Sequence, residues 1–341
     1  MKNLTELVDI LATPQKIAIT HHHNPDADAL GSSLGLCHYL QSKGHACQVI
    51  SPNSIPDFLM WMPQSSSVLI YEDSKTEVEK ILDDSTVLFS LDYNQYSRTH
   101  ALGPALSAFV GTTVLIDHHL FPDPDFEFGL SLPNKSSTCE MVYDFINLND
   151  DNMLITTDIA KCLYAGAMTD TGSFKFSCTT AGVHLMVADF MHKGLDTTPI
   201  HQAIFDTYEE NRLRFLGYVL SEKMIIHADL HAAIIPINKE DMNRFQLKTG
   251  DTEGIVNFPL SIKDIIFSTF ISERDHEIRM SFRSKGRFDV NEFARTYFNG
   301  GGHANAAGGR SNQSLTDTIE TYNNALSQIE NQLKQCYKEL V

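Results

Sequence analysis

The chain has 341 residues, a formal charge of −17, 42% hydrophobic and 20% charged residues. These are globular values in a chain longer than one core usually fills, so two domains are expected. The acidic excess argues against a long nucleic-acid groove, which needs a basic stripe to neutralise phosphates, but not against a short anionic substrate held through cations. No apolar run approaches a bilayer span, and the opening MKNLTELVDILATPQK lacks the apolar core and cleavage site of a signal peptide. Six cysteines (37, 47, 139, 162, 178, 336) form no CxxC pair. Disulfides and a zinc ribbon are therefore not expected, and a reducing cytoplasm is.

The first apolar run, KIAIT (16–20), reads as a buried strand and breaks into His21-His22-His23-Asn24-Pro25-Asp26-Ala27-Asp28. Asp28–Lys43 follows as a helix, with Leu30, Leu34, Cys37 and Leu40 at helical spacing and Gly44 as its stop. CQVIS (47–51) is a second strand, and YEDSKTEVEKIL (71–82) an exposed helix. TVLFSL (86–91) breaks into Asp92, and TTVLI (112–116) into Asp117-His118-His119. Ser137-Thr138-Cys139-Glu140 has the capping-box pattern and opens a helix through Ile146. Residues 156–168 form another helix, running into Met168-Thr169-Asp170-Thr171-Gly172. This alternation predicts a parallel sheet with right-handed crossovers, its strand ends delivering Asp and His to one rim. Residues 180–220 are helical in pattern, interrupted at Gly194 and Pro199. From Met224 the strand-like MIIHADLHAAIIPI, IKDIIFSTFI and EIRMSFRS predict a smaller α+β domain.

Several clusters carry chemistry. His22, Asp26 and Asp28 can wrap a cation from one loop, and oxygen plus imidazole donors suit Mn²⁺, Mg²⁺, Fe²⁺ or Co²⁺. The plainer reading is that Asp26 or Asp28 caps the next helix. His21 and His23 read as loop residues. Asp92, at a second strand end, is placed to bridge two ions. Of His118 and His119, one suits a metal and the other a phosphate, with Asp117 fixing an imidazole tautomer. Asp170 joins only if the fold brings it to the same rim. Gly300-Gly301-Gly302-His303, followed by Ala306-Ala307-Gly308-Gly309, is either a tight turn or a stretch whose N–H groups approach an anion. In EIRMSFRS, Arg283 suits forked phosphate binding, while Arg279 fits a solvated strand face.

Together these motifs, from about His22 to Gly309, resemble the DHH phosphoesterase superfamily with its DHHA1 companion domain, in particular the stand-alone oligoribonuclease and 3′-phosphoadenosine 5′-phosphate (pAp) phosphatase subgroup. The resemblance implies an α/β fold: a parallel-sheet DHH domain (1–190), a helical linker (191–222) and an α+β DHHA1 domain (223–341), with the active-site cleft between the two domains. It implies His22, Asp26 and Asp92 on one metal, and Asp28, Asp92, His118 and Asp170 on a second. His119 would face the scissile phosphate, alongside Asp117. Arg98, Arg283, Gly301, Gly302 and His303 would hold the substrate. The implied cofactors are two divalent ions, Mn²⁺ first and Mg²⁺, Co²⁺ or Fe²⁺ as alternatives. The implied reaction is phosphodiester hydrolysis of short single-stranded RNA or dinucleotides, with pAp as a further substrate. A homodimer is implied by the same analogy. The alternatives are a cyclic-dinucleotide pathway enzyme cleaving pApA and a non-catalytic nucleotide sensor. Two departures from the family pattern, Tyr93 to Tyr96 after Asp92 and Lys175 in place of Arg, bear on substrate preference.

Overall fold

The computed structural model describes residues 6–123, 125–248, 250–275 and 277–341. The first five residues of the amino-terminal stretch read above lie outside them. The chain divides into two compact units, Met1–Thr207 and Tyr208–Val341.

The first unit is built on six strands: β1 (Lys16–Thr20), β2 (Ala46–Ser51), β3 (Leu69–Ile70), β4 (Val87–Leu91), β5 (Thr112–Asp117) and β6 (Phe128–Ser131). They form one sheet in the order β3-β2-β1-β4-β5-β6, every pair parallel. The expected parallel sheet is thus present. β4 is buried along its whole length, as its unbroken apolar run requires. Its helices are α1 (Leu7–Leu11), α2 (Ala27–Ser42), α3 (Lys75–Asp84), α4 (Gly103–Ser107), α5 (Thr138–Leu148), α6 (Thr157–Asp170), α7 (Ala181–His192) and α8 (Thr198–Phe205). The strand order reverses between β1 and β4. In such sheets the crevice beyond the carboxyl ends at the reversal is where ligands collect.

Local readings mostly survive, with shifts that have physical causes. The predicted exposed helix begins at Lys75 rather than Tyr71, and it buries Val78 and Leu82. Pro199 does not interrupt a helix. It sits in the first turn of α8, where its missing N–H costs nothing. The capping box at Ser137 is half formed. The Ser137 hydroxyl accepts from Glu140 N, but the Glu140 carboxylate turns instead to Ser136 and Lys135.

The second unit holds a mixed sheet in the order β11-β12-β10-β9-β8-β7. Its strands are β7 (Ile225–His227), β8 (Ala232–Ile237), β9 (Phe267–Glu273), β10 (Ile278–Ser284), β11 (Gly301–His303) and β12 (Ala306–Ser311). β8 and β9 are parallel and the other pairs antiparallel. Helices α9 (Glu210–Tyr218), α10 (Lys239–Arg244), α11 (Val290–Tyr297), α12 (Leu315–Gln328) and α13 (Glu330–Leu340) complete it. One core, centred on Phe267, Phe282, Phe293 and Tyr322, lies on one side of this sheet. The glycine-rich stretch is not a loop: Gly301–His303 and Ala306–Ser311 pair as a hairpin.

Candidate metal centre

Three strand ends and two helix ends supply the site. His22 follows β1, Asp92 follows β4, Asp117 closes β5 with His118 and His119 just after it, Asp26 and Asp28 open α2, and Asp170 closes α6. Asp92 sits at φ +62°, a left-handed conformation that Asp tolerates better than most residues. Its backbone N–H donates to Ile116 O, so the turn is tied to β5.

The carboxylates and imidazoles converge. His22 Nε2 lies 3.3 Å from Asp92 Oδ2 and 3.9 Å from Asp26 Oδ2. His118 Nε2 lies 3.5 Å from Asp92 Oδ1, 3.5 Å from Asp170 Oδ2 and 3.9 Å from Asp28 Oδ2. The two oxygens of Asp92 therefore face different imidazoles. His119 Nδ1 donates to Asp117 Oδ1 at 2.7 Å. Asp26 caps α2, as the plainer reading has it: its Oδ1 accepts from Asp28 N and Ala29 N, and its Oδ2 is left facing His22. His21 is buried, with Nδ1 donating to His22 O, and His23 stacks on His100 at 4.1 Å. Among the described residues, neither ring belongs to a group that could hold an ion.

The donor set fits divalent cations. His22 Nδ1 donates to His23 O and His118 Nδ1 to Lys135 O, so each ring turns Nε2 toward carboxylates, the usual orientation of a ligating histidine. The separations of 3.3–3.9 Å suit a shared ion, since donors bound at about 2.1 Å in an octahedral site stand about 3 Å apart when adjacent. Asp117 Oδ2 is a further buried acceptor with no hydrogen-bond partner among the described residues. Two overlapping groups, His22 with Asp26 and Asp92, and Asp28 with Asp92 and His118, could each hold an ion.

The chain matches the family model "DHH family, N-terminal domain" over residues 16–167 and the "DHHA1 domain" over residues 230–335. A solved exopolyphosphatase-related protein from Bacteroides fragilis is 37% identical, with a TM-score of 0.94 and 97% of each chain covered. The chain belongs to the DHH phosphoesterase family. Among curated relatives of this DHH protein, the bifunctional oligoribonuclease and PAP phosphatase NrnA of Thermus thermophilus is 29% identical over 90% of this chain and 87% of its own. The cyclic-di-AMP phosphodiesterase GdpP of Bacillus subtilis is 25% identical over 94% of this chain but 49% of its own.

Sequence reasoning missed what holds the DHH carboxylates in place. Asp28 is fully buried, and its two oxygens accept from Thr138 N at 2.7 Å and Cys139 N at 2.8 Å. The N-terminus of α5 thus binds the carboxylate through its first N–H groups and dipole. The Thr138 hydroxyl donates to Asp92 Oδ1 at 3.0 Å. Gly166 of α6 lets that helix pass close to Asp28: a Cβ there would stand 2.8 Å from Asp28 Oδ1 and 2.4 Å from Cys139 Sγ. The start of α5 was legible, but not which carboxylate it caps.

Clustering also shifts the proton affinities. Burial, then Asp92, pushes the Asp28 carboxyl up to about 7. Burial, then Asp28, holds Asp170 well above the carboxylate range. At His22 and His118 burial works against the proton, but Asp92 and the neighbouring carboxylates outweigh it and raise them to about 9 and about 11. Burial would raise Asp92 too, yet hydrogen bonds from His118 and His22 hold it well below its usual value.

The raised groups act in one sense. Their folded-state values exceed their unfolded ones, so the stability they contribute is present at low pH and is lost as pH rises through about 7 and then about 9. A cation bound here would replace the displaced protons, and each proton released would tighten its binding about tenfold per pH unit. EDTA-treated protein is expected to melt at lower temperature at pH 9 than at pH 6, and added Mn²⁺ to raise the melting temperature more at pH 9. A Mn²⁺ effect independent of pH, read by calorimetry, would count against these groups as the ligands.

Proposed function

We propose that this chain is a two-metal phosphodiesterase that degrades short oligoribonucleotides to mononucleotides and also dephosphorylates pAp. The observation that carries this reading is the meeting of Asp28, Asp92, His118 and Asp170, with His22 and Asp26 beside them, at the reversal point of the sheet. Similarity to the T. thermophilus oligoribonuclease and PAP phosphatase over most of both chains supports it.

In this reading His22, Asp26 and Asp92 hold one ion, and Asp28, Asp92, His118 and Asp170 the other, Mn²⁺ being the first choice and Mg²⁺, Co²⁺ or Fe²⁺ the alternatives. Bound divalent ions would acidify a water and neutralise charge on the phosphate. Asp117 accepts from His119 Nδ1 and so fixes the ring. His119 Nε2 is then the nitrogen assigned to the scissile phosphate, where the imidazolium form, protonated on both nitrogens, donates to the oxygen that gains charge. Arg98 stands close enough to His22 for its charge to oppose the His22 proton. Arg98 and, in the second unit, Arg283, Gly301, Gly302 and His303 are assigned to the rest of the substrate. No carboxylate pairs with Arg283 among the described residues, and its Nη1 donates to Phe282 O. That suits a guanidinium kept for a phosphate.

We also read residues 191–222 as the connector between a catalytic part (1–190) and a substrate-binding part (223–341). The compact units separate at Thr207, inside that stretch. Six free cysteines favour a reducing cytoplasm, and no helix among the described residues is long and apolar enough to cross a membrane. A homodimer remains part of the proposal by analogy alone.

The similarity to GdpP supports a second reading, hydrolysis of the dinucleotide pApA within a cyclic-dinucleotide pathway. Turnover of pApA, RNAs of two to five nucleotides, pAp, pyrophosphate and polyphosphate with Mn²⁺ separates the readings. Short RNAs and pAp are expected to be cleaved. Cleavage of pApA alone selects the second reading, and cleavage of none of the nucleotides leaves a non-catalytic sensor.

A further inference from the structure

We propose that the open face of β10, β12 and β11 is a track for the phosphates of single-stranded RNA, running from Arg283 to a second arginine pair, Arg279 and Arg310, that engages only oligonucleotides too long for the clamp alone. This deepens the reading above and rests on it for the substrate class.

The register defines the track. In β10 and β12, Arg283 lies opposite Ala306, Ser281 opposite Gly308 and Arg279 opposite Arg310, while Gly301 and His303 of β11 lie opposite Gly308 and Ala306. Directly opposed residues share a face, so all eight line one side of the sheet. Met280 and Phe282 point the other way, into the core. From Arg283 to Arg279 is four residues, about 14 Å along an extended strand, more than one nucleotide step.

The glycines on this face are not explained by packing. Gly300, Gly302 and Gly309 are: a Cβ would meet Gly308 O at 2.0 Å, Ala306 O at 2.5 Å and Phe282 at 2.9 Å respectively. At Gly308 the nearest atom is Met280 O at 3.7 Å, and at Gly301 it is Asn291 Oδ1 at 3.5 Å, so a side chain would fit at both. Gly308 lies in a strand, where glycine is otherwise unfavourable. Its absence of a side chain keeps the middle of the face flat, so a sugar-phosphate backbone can lie against it.

The charge is also arranged for an anion. Arg279 and Arg310 are opposed like charges, a pairing that costs stability. Among the described residues the carboxylate they share is Glu277, 2.8 Å from Arg279 Nε and 4.0 Å from Arg310 Nη1. Arg274, just past β9, adds a third guanidinium; among the described residues its Nε is buried without an acceptor and its Nη2 donates to Thr252 Oγ1 at 3.4 Å. Two guanidiniums sharing one carboxylate, with a third close enough to Arg279 for their charges to oppose each other, form an anion site that single-stranded nucleic acid can fill. The chain's charge is segregated in the same sense. Residues 1–207 hold 10 Lys and Arg against 25 Asp and Glu, whereas residues 208–341 hold 16 against 18.

The test uses the full chain in EDTA, where nothing is hydrolysed, with fluorescein-labelled five-nucleotide RNA read by anisotropy across a salt series. The Arg279→Gln/Arg310→Gln double variant is expected to bind this RNA about tenfold more weakly, with a salt slope smaller by about 1.4, as for two lost single-strand phosphate contacts. Its Mn²⁺-dependent turnover of pAp should match wild type. Arg279→Lys/Arg310→Lys should recover most of the slope. Gly308→Val, a better strand former, should keep the melting temperature yet lose RNA affinity. Unchanged five-nucleotide binding in the Gln variant, or equal loss on pAp and RNA, overturns the track. If wild type hydrolyses no nucleotide, the functional reading falls, while the binding series still decides the track.

Discussion

Asp92→Asn is expected to lower kcat on short RNA by about a thousandfold or more while leaving the metal-free protein folded. Among the described residues Asp92 is the carboxylate whose two oxygens face separate imidazoles, His22 at 3.3 Å and His118 at 3.5 Å. Loss of its charge would therefore weaken both ions of the proposed pair, and several kcal/mol of charge stabilisation in the reaction depend on them, each 1.4 kcal/mol being about tenfold in rate. Asparagine is the right probe because it keeps the volume and, like Asp, tolerates the φ of +62° at this turn. It can still accept from the Thr138 hydroxyl. Alanine would remove the left-handed preference as well and confuse fold with chemistry. In EDTA the variant should melt within a few degrees of wild type, and the Mn²⁺-induced rise in melting temperature should shrink. A variant retaining more than a tenth of wild-type turnover would remove Asp92 from the bridging role.

The local chemistry of this site could be read from the residues, while its architecture could not. A strand that breaks into Asp or His is visible in a short window, so His22, Asp92 and the Asp117–His119 stretch stood out without any knowledge of strand order. The sheet order is fixed by which crossovers pack together, and no single segment carries that information. Asp170 shows the limit: a helix-terminal Asp is commonplace until α6 lies against α2 and brings its Oδ2 to 3.5 Å from His118 Nε2. The hairpin of Gly301–His303 with Ala306–Ser311 was hidden for a related reason. Glycine has low strand propensity, and these residues are strands because β10 offers an edge to β12, which in turn pairs with β11. β3 and β6, only two and four residues long, likewise depend on their neighbours for pairing. The half-formed capping box failed because Lys135 and Ser136 compete for the Glu140 carboxylate. The pattern contained the donors and acceptors but not which of them would meet.

Gly166→Ala is expected to cost about a hundredfold in turnover with only a small change in stability, although residue 166 performs no chemistry. Two stability terms oppose each other. Alanine gains about 1 kcal/mol of helix propensity over glycine. Overpacking costs about 1–3 kcal/mol, because a Cβ would stand 2.4 Å from Cys139 Sγ, 2.7 Å from Asp28 Cα and 2.8 Å from Asp28 Oδ1. The net change is therefore within about 2 kcal/mol of zero. The geometric consequence does not cancel. Asp28 is pinned to Thr138 N and Cys139 N, so relief of the clash moves the carboxylate, its helix cap or both. A displacement near 1 Å at a ligand of the proposed second ion is enough for a hundredfold loss. Gly217→Ala is the matched control. It lies in α9 with no described residue within 4 Å of a built Cβ, and it should stabilise by about 0.5–1 kcal/mol with turnover unchanged. Differential scanning calorimetry and kcat measured on the same preparations read both terms. Full activity in Gly166→Ala would show that the α6 crossing does not set the position of Asp28, and that the close approach of the two helices serves packing alone.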